Sequence, residues 1–148
     1  GWRLYEQVRT EAEQDPDILV GTNLTGISFV EVNAFQHCAW VVIQKSIREG
    51  FGLVVSEALW KETPVVAGRS GGITLQMEDG IGGFLVPPED EDAFVERVVE
   101  LLNDRELARV LGQRGRQRVR ERFLVTRYVR DELRLVADVL RAAPRTEE

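Results

Sequence analysis

The segment WVVIQKSIREGFGLVVSEALWK, residues 40–61, places a short apolar run, a glycine-rich turn and a helical pattern in direct succession. The run at 40–43 predicts a buried strand, and the pattern from Leu53 to about Lys61 predicts a helix. Gly50 and Gly52 lie between the two, where they permit backbone geometry and a close approach that side chains would block. Because the first N–H groups of a helix are free to donate, this arrangement predicts an anion-binding turn.

Short apolar runs and helical patterns also alternate on both sides of this segment. Further strands are expected at 18–20, 64–67 and 83–86, and helices at about 4–13, at 30–38 and in three stretches after Pro88, the last over about 124–143. Short apolar strands that alternate with helices predict an α/β fold, a Rossmann-like parallel sheet with helices on both faces. We predict a single domain over 1–148. A complete domain of this type has roughly six strands, so four indicate an N-terminally truncated one.

Composition excludes several classes of function. The chain has 148 residues, 43% hydrophobic and 30% charged, which is typical of a soluble globular domain. Its net charge of −6 argues against nucleic acid as a partner, and no apolar run approaches the roughly 20 residues that cross a membrane. The single cysteine, Cys38, is expected in the core, and the compartment is expected to be reducing and cytoplasmic. His37 is the only histidine, which argues against a histidine triad or a zinc cluster.

Two carboxylates flank the predicted anion-binding turn. Glu49 precedes it, and Glu57 lies about one helical turn after it, with seven residues between them. A carboxylate accepts hydrogen bonds from two adjacent hydroxyls, so it suits the diol of a ribose or a sugar. Carboxylates on either side of a phosphate-binding turn therefore suit a sugar nucleotide. An isolated pair at this spacing is more often a loop residue and an exposed helix residue, but the glycine turn favours the site.

These residues carry a family resemblance. Glu49-Gly50-Phe51-Gly52-Leu53 followed by Glu57 resembles the Glu-x7-Glu signature of retaining glycosyltransferases of the GT-B architecture. Residues 64–67, Gly71-Gly72-Ile73 and 79–88 resemble the next segments of that family in order. A closer resemblance is to the trehalose synthase branch. Lys45-Ser46 replaces the usual Pro-Ser, and Thr74-Leu75-Gln76 replaces a frequent acidic residue.

The resemblance implies roles for individual residues. Glu57 would hold the ribose hydroxyls, and Glu49, the catalytic candidate, would contact the transferred glucose near the reacting carbon. The donor-binding set is Arg48, Gly50, Phe51, Gly52, Leu53, Glu57, Gly71 and Gly72, with the N–H groups of Gly52 and Leu53 on the diphosphate. No metal or other cofactor is implied. Asp15-Pro16-Asp17 matches a metal-binding pattern, but its proline predicts a turn instead.

The implied reaction joins glucose from a nucleoside-diphosphate glucose to a second glucose, giving α,α-trehalose. The base of the donor stays open among uridine, adenosine and guanosine. The family's cationic segment and acceptor-binding N-terminal domain are not in the sequence, so we expect the chain to be inactive alone. An open sheet edge favours a homo-oligomer. A retaining trehalose phosphorylase and a non-catalytic nucleotide-sugar-binding or assembly module are the alternatives.

Overall fold

The computed structural model describes residues 2–142, which divide into two compact units at Phe35 and Gln36. In the first unit, helix α1 spans Trp2–Ala12, a 3-10 turn spans Asn23–Thr25 and helix α2 begins, spanning Phe29–Cys38. Ser28 precedes α2, and its hydroxyl and its N–H both donate to the Glu31 carboxylate. These hydrogen bonds lower the pKa of Glu31 and stabilise the start of the helix.

The strand predicted at 18–20 does not form. Ile18 and Leu19 are exposed, Leu19 to 75%, and the segment has no regular secondary structure. A strand needs a neighbour to pair its N–H and C=O groups, and the described residues of the first unit contain no other strand. The apolar run therefore predicted the wrong structure at this place.

The second unit contains a three-stranded parallel sheet. Its strands are β1 (Val42–Gln44), β2 (Val65–Gly68) and β3 (Gly83–Val86), in the order β1-β2-β3. Ile43 pairs with Val66, and Val66 pairs with Phe84, so the three strands end at one edge. The helices between and after the strands are α3 (Leu53–Trp60), α4 (Ile73–Gln76), α5 (Glu91–Asn103), α6 (Arg105–Arg122) and α7 (Val125–Ala142).

The core lies on both faces of the sheet, because successive side chains of β2 point in opposite directions. Val65 and Ala67 belong to a cluster with Leu59 of α3, whereas Val66 belongs to a second cluster with Leu101 of α5. Complete burial of such a side chain stabilises the fold by about 1.5–3 kcal/mol. The predicted fold class, an α/β parallel sheet covered by helices on both faces, is confirmed.

The later helices follow the prediction with shifts at their ends. Helix α5 begins at Glu91 and not at Pro88, because the Asp90 carboxylate accepts a hydrogen bond from the N–H of Ala93 at 2.9 Å. Asp104 caps α6 in the same way. Helix α7 follows the helix predicted over 124–143 as far as Ala142, and residue 143 lies outside the described residues.

The cysteine that was predicted in the core and two tryptophans lie at the surface. Cys38 is exposed, as are Trp40 and Trp60, and an arginine covers each tryptophan ring. The guanidinium of Arg105 lies 3.9 Å from the centre of the Trp40 ring, and that of Arg116 lies 5.1 Å from the Trp60 ring. Cation–π contact thus replaces burial at both positions. Among the helices of the described residues, none combines the length and the apolar character needed to span a membrane.

Candidate functional site

The glycine turn after β1 leads directly into α3. Gly52 has a φ of +83°, which favours glycine, and it occupies the position before the first helical residue, Leu53. Its carbonyl accepts the hydrogen bond of the Val55 N–H at 2.9 Å. Among the residues that the structure describes, no side chain accepts a hydrogen bond from the first turn of α3. The N–H groups at this helix start are therefore available to an anion.

A second glycine turn, after β2, packs directly on the first. The N–H of Gly72 donates to the carbonyl of Gly50 at 2.8 Å. A Cβ atom on Gly71 would lie 1.7 Å from the carbonyl oxygen of Glu49, and one on Gly72 would lie 2.3 Å from that of Gly50. Glycine is required at both positions because the backbone of the second turn lies directly against the backbone of the first and leaves no space for a side chain. The structure thus brings the predicted residues Glu49–Leu53 together with Gly71 and Gly72.

Gln76 connects these turns to the first turns of α3. Its side chain is fully buried, and its amide NH2 donates to the carbonyls of Phe51 and Gly52, the latter at 3.2 Å. Its amide oxygen accepts from the hydroxyl of Ser56. A buried amide with all of these partners stabilises the shape of the turn, because each unpaired group would be costly.

Arg118 supports Gln76 from α6. Its guanidinium donates to the backbone carbonyls of Gln76 at 2.8 Å and Leu75 at 3.1 Å, and it forms an ion pair with Glu78 at 2.8 Å. Arg118 lies in a stretch of α6 that is rich in arginine, yet its side chain is only 11% exposed. Sequence reasoning noted Gln76 only as a departure from the family and missed this role of Arg118.

Glu49 lies beside the turn at the carboxyl end of β1. One oxygen of its carboxylate accepts from the N–H of Gly50 at 2.9 Å. The other lies 3.4 Å from both the Gln44 amide and the Ser46 hydroxyl, which are long, weak contacts. Together these contacts hold a half-buried carboxylate at the edge of the sheet where the three strands end.

Glu57 is exposed on α3, about one turn after the glycines. The side-chain amide of Gln36 donates to its Oε2 at 3.0 Å. Lys61 donates to the backbone carbonyl of Glu57 at 3.1 Å and to Oε1 of Gln36 at 2.9 Å. Within residues 2–142, Oε1 of Glu57 has no hydrogen-bond partner, so it is open to a ligand.

The other predicted residues differ in their surroundings. The ring of Phe51 packs edge-on against Phe123, with 5.8 Å between ring centres, so it supports the turn. Arg48 is exposed and makes no hydrogen bond or ion pair within the described part of the chain. Lys45 forms an ion pair with Glu91 at 2.6 Å. Hydrogen bonding to Lys45 lowers the pKa of Glu91.

The site therefore combines two carboxylates with a turn of free N–H groups. Its partial positive charge comes from the helix start, with Arg48 next to it in the sequence. Across residues 2–142, no three side chains of the metal-binding types come together. The arrangement is suited to an anion that carries hydroxyl-bearing groups at both ends.

Comparison with known proteins gives matches over most of the chain. The family described as "Glycosyl transferases group 1" matches residues 12–118. The chain is 53% identical over 140 residues to a trehalose synthase of Rubrobacter xylanophilus, which covers 95% of this chain and 33% of that protein. It is 39% identical over 122 residues to a trehalose phosphorylase of Pleurotus pulmonarius, covering 78% of this chain and 16% of that protein.

A solved structure shows the same fold. The sucrose-phosphate synthase from Thermosynechococcus elongatus matches with a TM-score of 0.79 and 30% identity, over 95% of this chain and 35% of that one. The chain thus spans about a third of the length of the trehalose synthase and of the sucrose-phosphate synthase that it matches.

Proposed function

The chain belongs to the group 1 glycosyl transferases, and we propose that it forms the donor-binding part of a retaining glucosyltransferase that makes α,α-trehalose. The donor in this proposal is a nucleoside-diphosphate glucose, and the acceptor is glucose. The observation that carries it is the placement of Glu49 and Glu57 on either side of an uncapped helix start. The 53% identity to a trehalose synthase supports the choice of product.

The diphosphate of the donor would lie at the N-terminus of α3. The N–H groups of Gly52 and Leu53 would donate to its oxygens, and the helix dipole would favour its charge. Gly71 and Gly72 let the second glycine turn pack directly on the first, which holds the backbone of Glu49 and Gly50 in place beside the proposed diphosphate position. Because hydrogen bonds to the leaving diphosphate strengthen as its charge develops, this turn would contribute to the rate.

The two carboxylates would hold the two ends of the donor. Glu57 would accept hydrogen bonds from the ribose hydroxyls, using the oxygen that has no partner in the described structure. Glu49 would contact hydroxyls of the transferred glucose and orient its reacting carbon toward the acceptor. Both carboxylates already have a hydrogen-bond donor from this chain, so little reorganisation is needed when the donor binds.

A complete active site would need more than this chain supplies. A helix start carries about half a positive charge, which is less than a leaving diphosphate requires. Lys45 is already paired with Glu91, and Arg48 is the exposed cation next to Glu49 in the sequence. We therefore propose that a further cationic segment and the acceptor site lie in the rest of the enzyme, and that the chain alone does not transfer glucose.

The remainder of the enzyme is also the partner that we propose for the exposed apolar surfaces. Beside the free edge of β1 lies a groove of about 390 Å³ between Ile43 and the α5 side chains Phe94, Val95 and Val98. Helix α7 has no buried residue, and it exposes many large apolar side chains, namely Val125, Tyr128, Val129, Leu133, Leu135, Val136, Val139 and Leu140. In the isolated chain, the same surfaces favour self-association.

A retaining trehalose phosphorylase is the second candidate, and the 39% identity to such an enzyme supports it. In that reaction phosphate takes the place of the nucleotide, so the sugar substrate is glucose 1-phosphate. The same glycine turn serves a single phosphate as well as a diphosphate. A non-catalytic nucleotide-sugar-binding module is the third candidate.

Titration calorimetry on this chain separates the first two candidates. We expect binding of uridine, adenosine or guanosine diphosphate glucose, no binding of glucose 1-phosphate, and loss of affinity in Glu57→Ala. Glu96→Ala is the matched control, because Glu96 is an exposed glutamate on α5 whose side chain makes no hydrogen bond within residues 2–142. Binding of glucose 1-phosphate alone would favour the phosphorylase. Failure to form trehalose after addition of the N-terminal portion of the enzyme would favour the non-catalytic module.

A further inference from the structure

Gln36 is a buried glutamine whose side-chain amide is hydrogen-bonded through both its nitrogen and its oxygen within the second unit. Its side chain lies at the end of α2, and the residue is 6% exposed. Its Nε2 donates to Oε2 of Glu57 at 3.0 Å, and its Oε1 accepts from the ammonium of Lys61 at 2.9 Å. The hydroxyl of Thr63, also buried, donates to its backbone carbonyl at 2.7 Å. Three groups outside α2 thus fix one glutamine.

These partners determine which way the amide points. A lysine ammonium can only donate a hydrogen bond, and an ionised carboxylate can only accept one. The reversed amide would place NH2 against the ammonium of Lys61 and a carbonyl against the carboxylate of Glu57. Gln36 therefore presents a donor to Glu57, and the Glu57 carboxylate is held in one orientation.

We propose that Gln36 is a positioning residue for donor binding, acting through Glu57. This inference rests on the proposed function, in which Glu57 binds the ribose. An exposed glutamate on a helix samples many side-chain conformations and loses that freedom when a ligand fixes it. The hydrogen bond from Gln36 removes much of that freedom before the donor arrives. It occupies one acceptor position of the carboxylate and leaves Oε1 of Glu57 for the two hydroxyls.

The test is a double-mutant cycle on this chain with uridine diphosphate glucose as the probe, measured by calorimetry. Gln36→Met keeps the length of the side chain and removes the amide. We expect it to weaken binding by about fivefold, the effect of one hydrogen bond. In the Glu57→Ala background the same change should alter the dissociation constant by less than about twofold, because the group that Gln36 positions is gone.

Gln36→Glu is a second variant that keeps the packing and the contact with Lys61. It places a buried carboxylate against that of Glu57, so we expect a larger loss of affinity than in Gln36→Met, together with a lower thermal unfolding temperature. If Glu57→Ala itself leaves binding unchanged, the proposed ribose contact is wrong, and the inference about Gln36 is wrong as well. If Glu57→Ala weakens binding but neither Gln36 variant does, the inference alone is wrong. An equal effect of Gln36→Met in both backgrounds would also overturn it, since Gln36 would then act on the fold.

Discussion

Replacement of Gly72 by alanine tests the contact between the two glycine turns. The added Cβ would lie 2.3 Å from the carbonyl oxygen of Gly50 and 2.7 Å from the Cα of Phe51. Real Cβ atoms stay beyond 3.0 Å of such neighbours, so the turns must separate by about 0.7 Å. Gly72 has a φ of −66°, which alanine adopts freely, and the effect therefore comes from crowding alone.

The expected loss of stability follows from this contact. Overpacking against backbone atoms costs about 1–3 kcal/mol, and the hydrogen bond from Gly72 to Gly50, now stretched, contributes about another 1 kcal/mol. Gly72 is the N-cap of α4, a position where alanine is less favourable than glycine, so helix propensity offsets none of this cost. We expect Gly72→Ala to lower the free energy of unfolding by about 2–4 kcal/mol.

Urea unfolding of the purified chain measures this difference, provided that the slope of the transition is unchanged. Gly50→Ala is the matched control for stability, because no atom lies within 4 Å of its added Cβ and its φ is not positive. We expect the control to change stability by less than about 0.5 kcal/mol. If the two variants unfold at the same urea concentration, the two turns do not pack as described.

Three further predictions concern other parts of the structure. Gln76→Leu should lower stability by about 1–3 kcal/mol, since it leaves buried carbonyls of the glycine turn unpaired, and an unchanged urea midpoint would contradict this. Lys45→Met should raise the pKa of Glu91 toward its ordinary value in an NMR titration. Because the pKa of Glu91 is lowered in the folded chain, its stabilising contribution is present above its unfolded pKa and is lost as pH falls through the folded value. The variant should therefore lose less stability on acidification, and an unchanged Glu91 titration would refute the pairing. Leu133→Glu should reduce self-association in light scattering by placing a charge on the apolar face of α7, whereas the exposed-site control Arg134→Glu should not, and equal masses for both variants would count against that face.

Most of the second unit could be predicted from local sequence patterns. The strands that became β1, β2 and β3 were each placed within two residues, because short apolar runs flanked by turn residues form buried strands. The run at 18–20 has the same character but forms no strand. A local hydrophobic pattern indicates only that a segment is able to form a strand. Whether it does so depends on a neighbouring strand, which a short segment does not reveal.

The site was predictable to the extent that its parts are adjacent in the sequence. The glycines and the two glutamates lie in one short segment, and their spacing indicated the turn. The contacts of Gln36 with Glu57, of Gln76 with Phe51, and of Arg118 with Gln76 join residues 21, 25 and 42 positions apart. No spacing rule reports such contacts. The supporting roles of Gln36 and Arg118 were therefore not predicted.

The central claim is that a sugar nucleotide binds at the glycine turn that begins α3. Backbone amide chemical shifts of the isotopically labelled chain, followed by NMR during addition of uridine diphosphate glucose, test it most directly. We predict that the largest shifts fall on Gly52, Leu53 and Gly72, with smaller changes along α5. Shifts that are largest at the groove around Val98, or that are absent at saturating ligand, would contradict the assignment of this turn as the donor site.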